Sequence, residues 1–224
     1  MKELKLSKRL NTVAQFVRDG AVVADIGTDH AYIPIYLMLN GIAKHAIASD
    51  INEGPIARAR ENISQYKLEK SITTCVTNGL DGIPSYQPTD ILICGMGGEL
   101  IAQILDSCDY IKNPKIKLIL QPMTSIYELR SYLTKGFCIS EEAIVCEDGK
   151  YYQIICAFYD GKHHEFTDVE LELGKRNIEG KENIFYDFLD FSITKKQKII
   201  NGLIKGGCDT AHLESQIKEM EGLK

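Results

Sequence analysis

The sequence lacks the cysteine patterns that mark disulfide frameworks and zinc sites. Its seven cysteines are scattered, with no Cys-x-x-Cys pair and no Cys/His cluster at zinc-ligand spacing. Most of them lie in apolar runs, where a cysteine usually acts as a small core residue. We therefore expect reduced thiols, no metal site and a cytoplasmic location.

Long apolar segments and low-complexity tracts are also absent. No run of about 18 uninterrupted apolar residues occurs, so we expect no membrane span. The basic residues near the N-terminus are not followed by an apolar run, so we expect no signal peptide. With 224 residues, 44% of them hydrophobic and 25% charged, the chain has the composition of a soluble globular protein.

An excess of positive charge is missing too, because the formal net charge is −5. Nothing in the overall charge therefore points to nucleic acid. Two segments are nevertheless locally basic: residues 1–18 carry five basic residues and one acid, and residues 191–206 carry four lysines and no acid. Solvated helix faces explain both segments without any partner, and a local binding surface remains open.

The first two thirds of the chain alternate between β-branched apolar runs and helical patterns. The strand candidates are residues 21–26, 45–51, 71–77, 89–96 and 115–121. Such alternation predicts a parallel sheet with helices on both faces. Residues 137–159 then form two β-rich runs joined at Glu-Asp-Gly-Lys, a strong hairpin signal. A closing antiparallel hairpin is typical of the methyltransferase variant of the Rossmann-like α/β fold, whereas a dehydrogenase would keep its sixth strand parallel.

The character of the chain changes after Asp160. A linker rich in turn residues precedes a helical pattern that starts at Thr167, and Gly206 and Gly207 predict a break between two helices. We predict two domains: residues 1–160 form the Rossmann-like domain, and residues 161–224 form an all-helical, partly coiled-coil-like domain.

The first predicted strand ends in "DIGTDHA", which resembles a cofactor-binding turn. S-adenosylmethionine enzymes commonly carry acid-x-Gly-x-Gly-x-Gly here, and Asp25 and Gly27 match, whereas Asp29 and Ala31 replace the later glycines. A carboxylate at residue 29 would repel the pyrophosphate of NAD. S-adenosylmethionine has no phosphate and carries cationic groups, so the substitution favours it. A solvated or capping aspartate is the alternative.

Two further turns follow the second and third predicted strands. Asp50, at the end of the second strand, can accept both ribose hydroxyls of a nucleoside, or it can simply start a helix. Asn78 and Asp81 follow the third strand, where methyltransferases usually hold adenine, although a plain turn explains them equally well.

The fourth predicted strand ends in "CGMGG", from Cys94 to Gly98. Three glycines allow the backbone to approach a flat ligand closely. Enzymes that methylate exocyclic amines carry Asn/Asp-Pro-Pro-aromatic here, so the sequence favours a ring nitrogen as the acceptor. Cys94 could be a nucleophile, but it has no basic neighbour in sequence, and a buried thiol is the commoner case.

The stretches "ADIGTDHAYIPIYL", "ASDINEGPIARARENI", "DILICGMGGELIAQIL" and "LILQPMTSIYELRSYL" resemble the TrmK family, the bacterial tRNA (adenine-22-N1)-methyltransferases. The resemblance implies a domain that binds S-adenosylmethionine and a C-terminal helical domain that helps to hold tRNA. It also implies methyl transfer to N1 of an adenosine in the D-arm region. A methyltransferase for small molecules or proteins, and a non-catalytic RNA- or nucleotide-binding module, are the alternatives. The sequence does not fix the oligomeric state, and a monomer is compatible with it.

The motifs and the resemblance together predict three sets of site residues. The cofactor-binding set is Asp25, Gly27, Thr28, Asp29, His30, Asp50, Ile51, Asn78, Gly79, Asp81 and Gly95. The catalytic set is Asp29, Tyr32, Gly95 and Met96. The RNA-binding set is Arg9, Lys195, Lys196 and Lys198.

The chemistry assigns a distinct task to two of these residues. The lone pair of adenine N1 can attack a methyl group directly, so positioning and charge complementarity matter more than a strong base. In a stem the base must leave the helix to reach a pocket, where Tyr32 could stack on it. Asp29 could polarise the 6-amino group or stabilise the charge that develops on the ring, and His30 could stabilise the loop instead of binding a ligand.

Overall fold

The computed structural model of the chain describes residues 4–224, so Lys2 and Glu3 of the basic N-terminal segment lie outside the described residues. The described residues divide into two compact units. The first ends at His164, and the second is Glu165–Lys224. The predicted boundary at residue 160 falls shortly before this division.

The first unit contains a single sheet of seven strands. They are Ala21–Ile26 (β1), Ala43–Asp50 (β2), Ile72–Val76 (β3), Asp90–Gly97 (β4), Lys117–Thr124 (β5), Phe137–Glu147 (β6) and Lys150–Tyr159 (β7). Their order across the sheet is β3-β2-β1-β4-β5-β7-β6. The pairs from β3 to β5 are parallel, whereas β7 runs antiparallel to both β5 and β6. The predicted Rossmann-like methyltransferase fold is therefore confirmed.

Five helices pack against this sheet. They are Lys8–Gln15 (α1), Tyr32–Leu39 (α2), Glu53–Gln65 (α3), Gly98–Asp106 (α4) and Ile126–Leu133 (α5). The central strands are buried almost completely, because helices cover them and they contain mainly β-branched and small apolar residues. The polar groups that follow these strands are thereby concentrated at the carboxyl edge of the sheet.

The hairpin that closes the sheet forms at the predicted Asp-Gly pair. Asp148 and Gly149 both have positive φ angles, 49° and 72°, which is the geometry that a two-residue hairpin turn of type I′ requires. The turn reverses the chain after β6, so that β7 can lie antiparallel to β5.

The second unit is helical throughout. Its helices are Asp168–Leu173 (α6), Lys175–Gly180 (α7), Asn183–Lys205 (α8) and Ala211–Glu221 (α9). Thr167 and Glu170 form a capping box that starts α6, and the predicted break at Gly206 and Gly207 separates α8 from α9. Phe185, Leu189 and Ile200 form part of the buried face of α8. A helical tail is confirmed, and its coiled-coil character stays a prediction.

Candidate cofactor and acceptor site

The candidate site lies where the strand order of the sheet changes direction. β1 pairs with β2 on one side and with β4 on the other. The order in which the strands are added to the sheet therefore reverses between β1 and β4. In open α/β sheets such a switch point opens a crevice beyond the carboxyl ends of the strands, where ligands bind. The residues after β1, β2 and β4 meet at this crevice.

The larger of two adjoining pockets has a volume of about 310 Å³. The end of β1, its following loop, α1 and the end of β4 supply its walls. The lining residues are Arg9, Leu10, Asp25, Gly27, Thr28, Asp29, His30, Ala31, Tyr32, Ile33, Cys94 and Gly95. Six of the predicted cofactor residues and the predicted catalytic Tyr32 therefore line one cavity.

Asp25 and Thr28 form a buried polar pair at the bottom of this pocket. Burial raises the pKa of Asp25 to about 6, and the neighbouring Thr28 side chain offsets part of the increase. The Thr28 hydroxyl is itself buried, and within residues 4–224 it makes no hydrogen bond of good geometry. A buried hydroxyl whose contact with Asp25 is this poorly aligned keeps unused hydrogen-bonding capacity, so this pair fits a ligand that brings polar hydrogens.

Gly27 forms the floor between the two pockets. Its φ angle of 76° and its backbone hydrogen bond to the Ser49 carbonyl (2.8 Å) hold the loop in a conformation that favours glycine. A Cβ at this position would overlap the methyl group of Met96. The space that a side chain at residue 27 would take is therefore occupied by the end of the flexible Met96 side chain.

The smaller pocket has a volume of about 130 Å³ and suits a flat, largely apolar group. It is lined by Ile26, Gly27, Asp50, Ile51, Thr77, Asn78, Gly79, Met96, Leu100 and Ile104. Asp50 stands at its rim, where one carboxylate oxygen accepts a hydrogen bond from the Asn52 backbone N–H (2.8 Å). Asp81 lines neither pocket; its carbonyl oxygen accepts a hydrogen bond from the Thr77 hydroxyl (2.7 Å), so it supports the turn.

Together the two pockets fit S-adenosylmethionine. The buried Thr28 hydroxyl and the Asp25 carboxyl match the polar amino-acid end of the molecule, and the two pockets meet at Gly27, beside the flexible Met96 side chain. The smaller pocket, with Ile51 and Leu100 exposed beside it, matches a nucleoside. Ile104 and Leu100 belong to α4, and their contribution was not predicted from the sequence.

Asp29 lies at the mouth of the larger pocket, and two side chains hold its carboxylate. Its carboxylate contacts Arg58 of α3 (2.7 Å) and the His30 ring (3.1 Å), while its side chain stays 65% exposed. The His30 ring stacks on Tyr32, with centroids 5.1 Å apart and planes at 19°. Sequence reasoning missed Arg58, because the residue lies on α3, 29 residues further along the chain, and only the fold brings it to this loop.

The end of β4 is irregular at the predicted Cys-Gly-Met-Gly-Gly segment. Gly95 has a φ angle of 80°, and the register with β5 shifts on both sides of Met96. A Cβ at Gly98 would overlap the Ser125 carbonyl oxygen, so this glycine is required for the close packing of the strand ends. Burial, together with the charge of Asp25, raises the pKa of Cys94 well above its ordinary value. The thiol therefore stays protonated and is a poor nucleophile.

Arg9 lies inside the larger pocket, although its predicted role was RNA binding. Its guanidinium donates to Gln121 Oε1 and lies over the Tyr152 ring, 5.3 Å from the centroid. Gln121 is fully buried at the end of β5, so this contact draws the arginine side chain toward the strand ends. Arg9 therefore lines the pocket instead of projecting from an outer surface of the helix.

The three predicted RNA-binding lysines of α8 differ in environment. Lys195 and Lys198 are exposed. Lys196 is only 8% exposed, and its ammonium donates to Glu172 (2.7 Å) and to Gln216 (2.7 Å). Its position in the helix places it on the buried face, so it is not available to a phosphate. The prediction that Lys196 contacts RNA is not supported by its contacts.

The described residues contain neither a metal-binding cluster nor a membrane-spanning helix. In residues 4–224, no group of three or more His, Cys, Asp or Glu side chains could hold a metal ion. In the same residues, no helix is both long and apolar enough to cross a membrane.

Comparison with known proteins gives consistent matches. Residues 6–155 match a family model described as a methyltransferase domain. The chain is 40% identical over 175 residues to the tRNA (adenine(22)-N(1))-methyltransferase of Bacillus subtilis strain 168, covering 78% of this chain and 74% of the relative.

Two solved structures resemble the chain along nearly its whole length. One is Streptococcus pneumoniae Sp1610 in complex with S-adenosyl-L-methionine, with a TM-score of 0.85, 32% identity and coverage of 98% of this chain and 99% of that chain. The other is Mycoplasma capricolum TrmK in complex with S-adenosyl-homocysteine, with a TM-score of 0.80, 30% identity and coverage of 97% and 96%.

Proposed function

This chain belongs to the tRNA (adenine(22)-N(1))-methyltransferase family, and from that premise we propose how its pockets carry out the reaction. The chain transfers a methyl group from S-adenosylmethionine to N1 of adenine 22 in tRNA. The larger pocket receives the amino-acid end of the cofactor and the acceptor base, and the smaller pocket receives the adenosine end.

The cofactor is held by groups at the ends of three strands. The Asp25 carboxyl and the Thr28 hydroxyl bind the amino group, because both are buried and the hydroxyl lacks a partner of good geometry in the described residues. Asp50 accepts the ribose hydroxyls, and Ile51 and Leu100 enclose the adenine ring, which suits their exposed apolar surfaces. Bound there, S-adenosylmethionine supplies the methyl group.

The acceptor base is oriented by the mouth of the larger pocket. Tyr32 is 42% exposed and already stacked on His30, so it offers one face to an adenine ring. The backbone at Gly95 allows the ring to approach the end of β4, because no side chain stands there. N1 of adenine needs no deprotonation before attack, so no strong base is required and the described pocket provides positioning.

We assign Asp29 to orientation of the adenine ring through its 6-amino group. Arg58 holds the Asp29 carboxylate in place but also reduces the negative potential of that carboxylate. Asp29 therefore acts by orienting the 6-amino group more than by stabilising positive charge. An Asp29→Ala enzyme should therefore have slower single-turnover methylation at saturating cofactor, with cofactor affinity nearly unchanged. Normal chemistry with weak cofactor binding would instead assign Asp29 to the cofactor.

The tRNA substrate is an acidic polymer, and the exposed lysines of α8 are its proposed contacts in the second unit. Lys195, Lys198 and Lys205 are exposed, and Lys196 is left out of this set because its ammonium is already bound. A local basic surface can bind RNA even though the whole chain is acidic.

The single observation that carries the proposal is the junction of the two pockets at Gly27, with a buried acid on one side and Asp50 on the other. The test is incubation with labelled S-adenosylmethionine and unmodified tRNA, followed by nucleoside analysis. We expect 1-methyladenosine, and a tRNA with another base at position 22 should give no product. Formation of N6-methyladenosine, or no product from any tRNA, would contradict the proposal.

A further inference from the structure

Arg9 and Asp25 are opposite charges that line the same pocket without neutralising each other. Arg9 comes from α1 and Asp25 from the end of β1, and in the described part of the chain no ion pair joins them. Both charges are nevertheless close enough to Cys94 to act on its pKa in opposite directions. A ligand that carries an anion and a cation a few bonds apart can therefore lie between the two side chains.

The Arg9 side chain is held by contacts that leave part of its guanidinium for a ligand. One edge donates to Gln121 Oε1, and the plane lies over the Tyr152 ring. A guanidinium has five N–H donors in a fixed fork, so the remaining donors can bind a carboxylate in the pocket.

The helix that carries Arg9 is fixed at its first turn by a side chain from the closing hairpin. Glu147, at the end of β6, accepts a hydrogen bond from the Arg9 backbone N–H (3.2 Å). Although desolvation raises the pKa of the Glu147 carboxyl, hydrogen bonds from the Arg9 and Lys8 backbone and from Ser7 outweigh it and leave the pKa below its ordinary value. The first N–H groups of a helix have no partner within the helix; here the Ser7 side chain accepts from the Leu10 N–H and Glu147 from the Arg9 N–H, so the two side chains together hold the first turn.

A second contact joins the same two elements. The Lys8 ammonium donates to the Cys146 carbonyl oxygen (3.2 Å), next to Glu147 in β6. Tyr152 lies on β7, so the hairpin supplies both the group that caps α1 and the ring beneath Arg9. The position of the arginine in the pocket therefore depends on a hairpin whose turn is distant in sequence from α1.

We propose that Arg9 binds the carboxylate at the amino-acid end of S-adenosylmethionine, and that Glu147 is a positioning residue that holds Arg9 there by capping α1. The inference rests on the proposed function, since it names a part of the same cofactor site. It replaces the sequence-based assignment of Arg9 to RNA with an assignment to the cofactor.

The test compares S-adenosylmethionine with its decarboxylated form, which keeps the sulfonium, the amine and the adenosine but lacks the carboxylate. Isothermal titration calorimetry on the full chain measures both affinities without turnover. The wild-type chain should bind S-adenosylmethionine about 10-fold to 100-fold more tightly than the decarboxylated form. Arg9→Gln should abolish this preference and leave the affinity for the decarboxylated form unchanged.

Glu147 is tested with two variants and one control. Glu147→Ala should remove most of the preference, whereas Glu147→Gln, which keeps an acceptor oxygen, should restore much of it. Adding Arg9→Gln to Glu147→Ala should cause no further loss, because both act on one interaction. Glu141→Gln is the control, since Glu141 also lies on β6 but pairs with Lys117 instead of α1, and it should bind both molecules like the wild type.

Three outcomes would overturn the inference. Equal affinities of the wild-type chain for S-adenosylmethionine and its decarboxylated form would show that Arg9 does not bind the carboxylate, and would leave the proposed function intact. Arg9→Gln weakening both molecules equally would assign the arginine to general packing. Glu147→Ala lowering the melting temperature with the preference unchanged would make Glu147 merely structural. If the wild-type chain bound neither molecule, the proposed function itself would fail.

Discussion

At the scale of single residues, the larger pocket is defined by polar groups whose burial is costly. Asp25 and Thr28 are buried in the chain but have few protein partners, and a bound cofactor would supply the missing hydrogen bonds. We therefore predict that a substitution of Asp25 or Thr28 that stabilises the fold weakens ligand binding.

Thr28→Val tests this opposition. The substitution removes a buried hydroxyl that has no hydrogen-bond partner of good geometry in residues 4–224, so the free energy of unfolding should rise by about 1 kcal/mol. The affinity for S-adenosylmethionine should fall by about 3-fold to 10-fold. Chemical denaturation at pH 5, where Asp25 is largely protonated, and calorimetric titration measure the two effects.

The matched control for this prediction is Thr134→Val. Thr134 is also buried, but its hydroxyl donates to the Ser131 carbonyl oxygen (2.8 Å), so its loss should destabilise the chain. A loss of stability in both variants, or a gain in Thr28→Val with unchanged cofactor affinity, would refute the assigned role of the Thr28 hydroxyl.

Asp25 should make stability depend on pH in the direction opposite to most carboxylates. Burial raises its folded-state pKa from 3.8 to about 6, so between these pH values the folded chain holds a proton that the unfolded chain has lost. The contribution of Asp25 to stability therefore falls as pH rises from about 4 to about 6, by about 3 kcal/mol in total. Asp25→Asn should lack this decrease.

Unfolding by denaturant at pH 4, 5, 6 and 7 gives the measurement. The wild-type chain should lose stability relative to Asp25→Asn as the pH rises, with the steepest change near pH 5, midway between the unfolded and folded pKa values. A difference between the two chains that stays constant, or that moves in favour of the wild type, would show that Asp25 is ionised without penalty.

At the scale of secondary-structure elements, α8 shows how position in a helix decides what a lysine does. Lys196 lies on the face that contains Leu189 and Ile200, whereas Lys198 is exposed. Both residues occur in one short basic run, and the run alone does not distinguish them. The 3.6-residue period of the helix distinguishes the two lysines, because the apolar positions define the buried face.

Substitution of these two lysines should therefore have different effects. Lys196→Ala removes hydrogen bonds to Glu172 and Gln216, so the free energy of unfolding should fall by about 2 kcal/mol. Lys198→Ala should change stability by less than about 0.5 kcal/mol. For tRNA binding, Lys198→Ala should reduce the slope of log affinity against log salt concentration by about 1.

Thermal unfolding and filter binding at several salt concentrations distinguish the two lysines. Equal stability losses in both variants would contradict the assignment of faces. An unchanged salt slope in Lys198→Ala would remove that lysine from the tRNA contacts.

At the scale of the whole molecule, the chain contains two compact units, and we predict that they divide the work. The pockets lie entirely in the first unit, and the basic part of α8 lies in the second. A chain that ends at His164 should bind S-adenosylmethionine within about 3-fold of the full chain. Its affinity for tRNA should fall by at least about 10-fold, because phosphate contacts are lost.

Calorimetric titration with the cofactor and methylation of tRNA at increasing enzyme concentration test this division. Full tRNA methylation by the shortened chain would contradict a role of the second unit in binding. Loss of cofactor binding would be informative only if the shortened chain keeps a cooperative thermal transition, since that control separates a binding defect from unfolding.

The sequence by itself determined the elements that depend on local periodicity and turn chemistry. The strands of the sheet, the Asp-Gly hairpin and the break at Gly206 and Gly207 follow from side-chain alternation and from backbone conformations that glycine favours. The loop after β1 pointed to S-adenosylmethionine because a carboxylate at residue 29 opposes a bound pyrophosphate.

Only the tertiary structure decided which distant residues share a pocket. Arg58 of α3 contacts Asp29, and Lys196 lies on the buried face of α8. Arg9 lines the pocket, where Gln121 accepts from its guanidinium and Glu147, far along the chain, accepts from its backbone N–H. Local pattern carries no information about such contacts, since they depend on how the strands are ordered and how the helices pack on the sheet. A basic residue near the N-terminus therefore suggested RNA from its charge, whereas its neighbours in space place it in the pocket and are the basis of our proposal that it binds the cofactor.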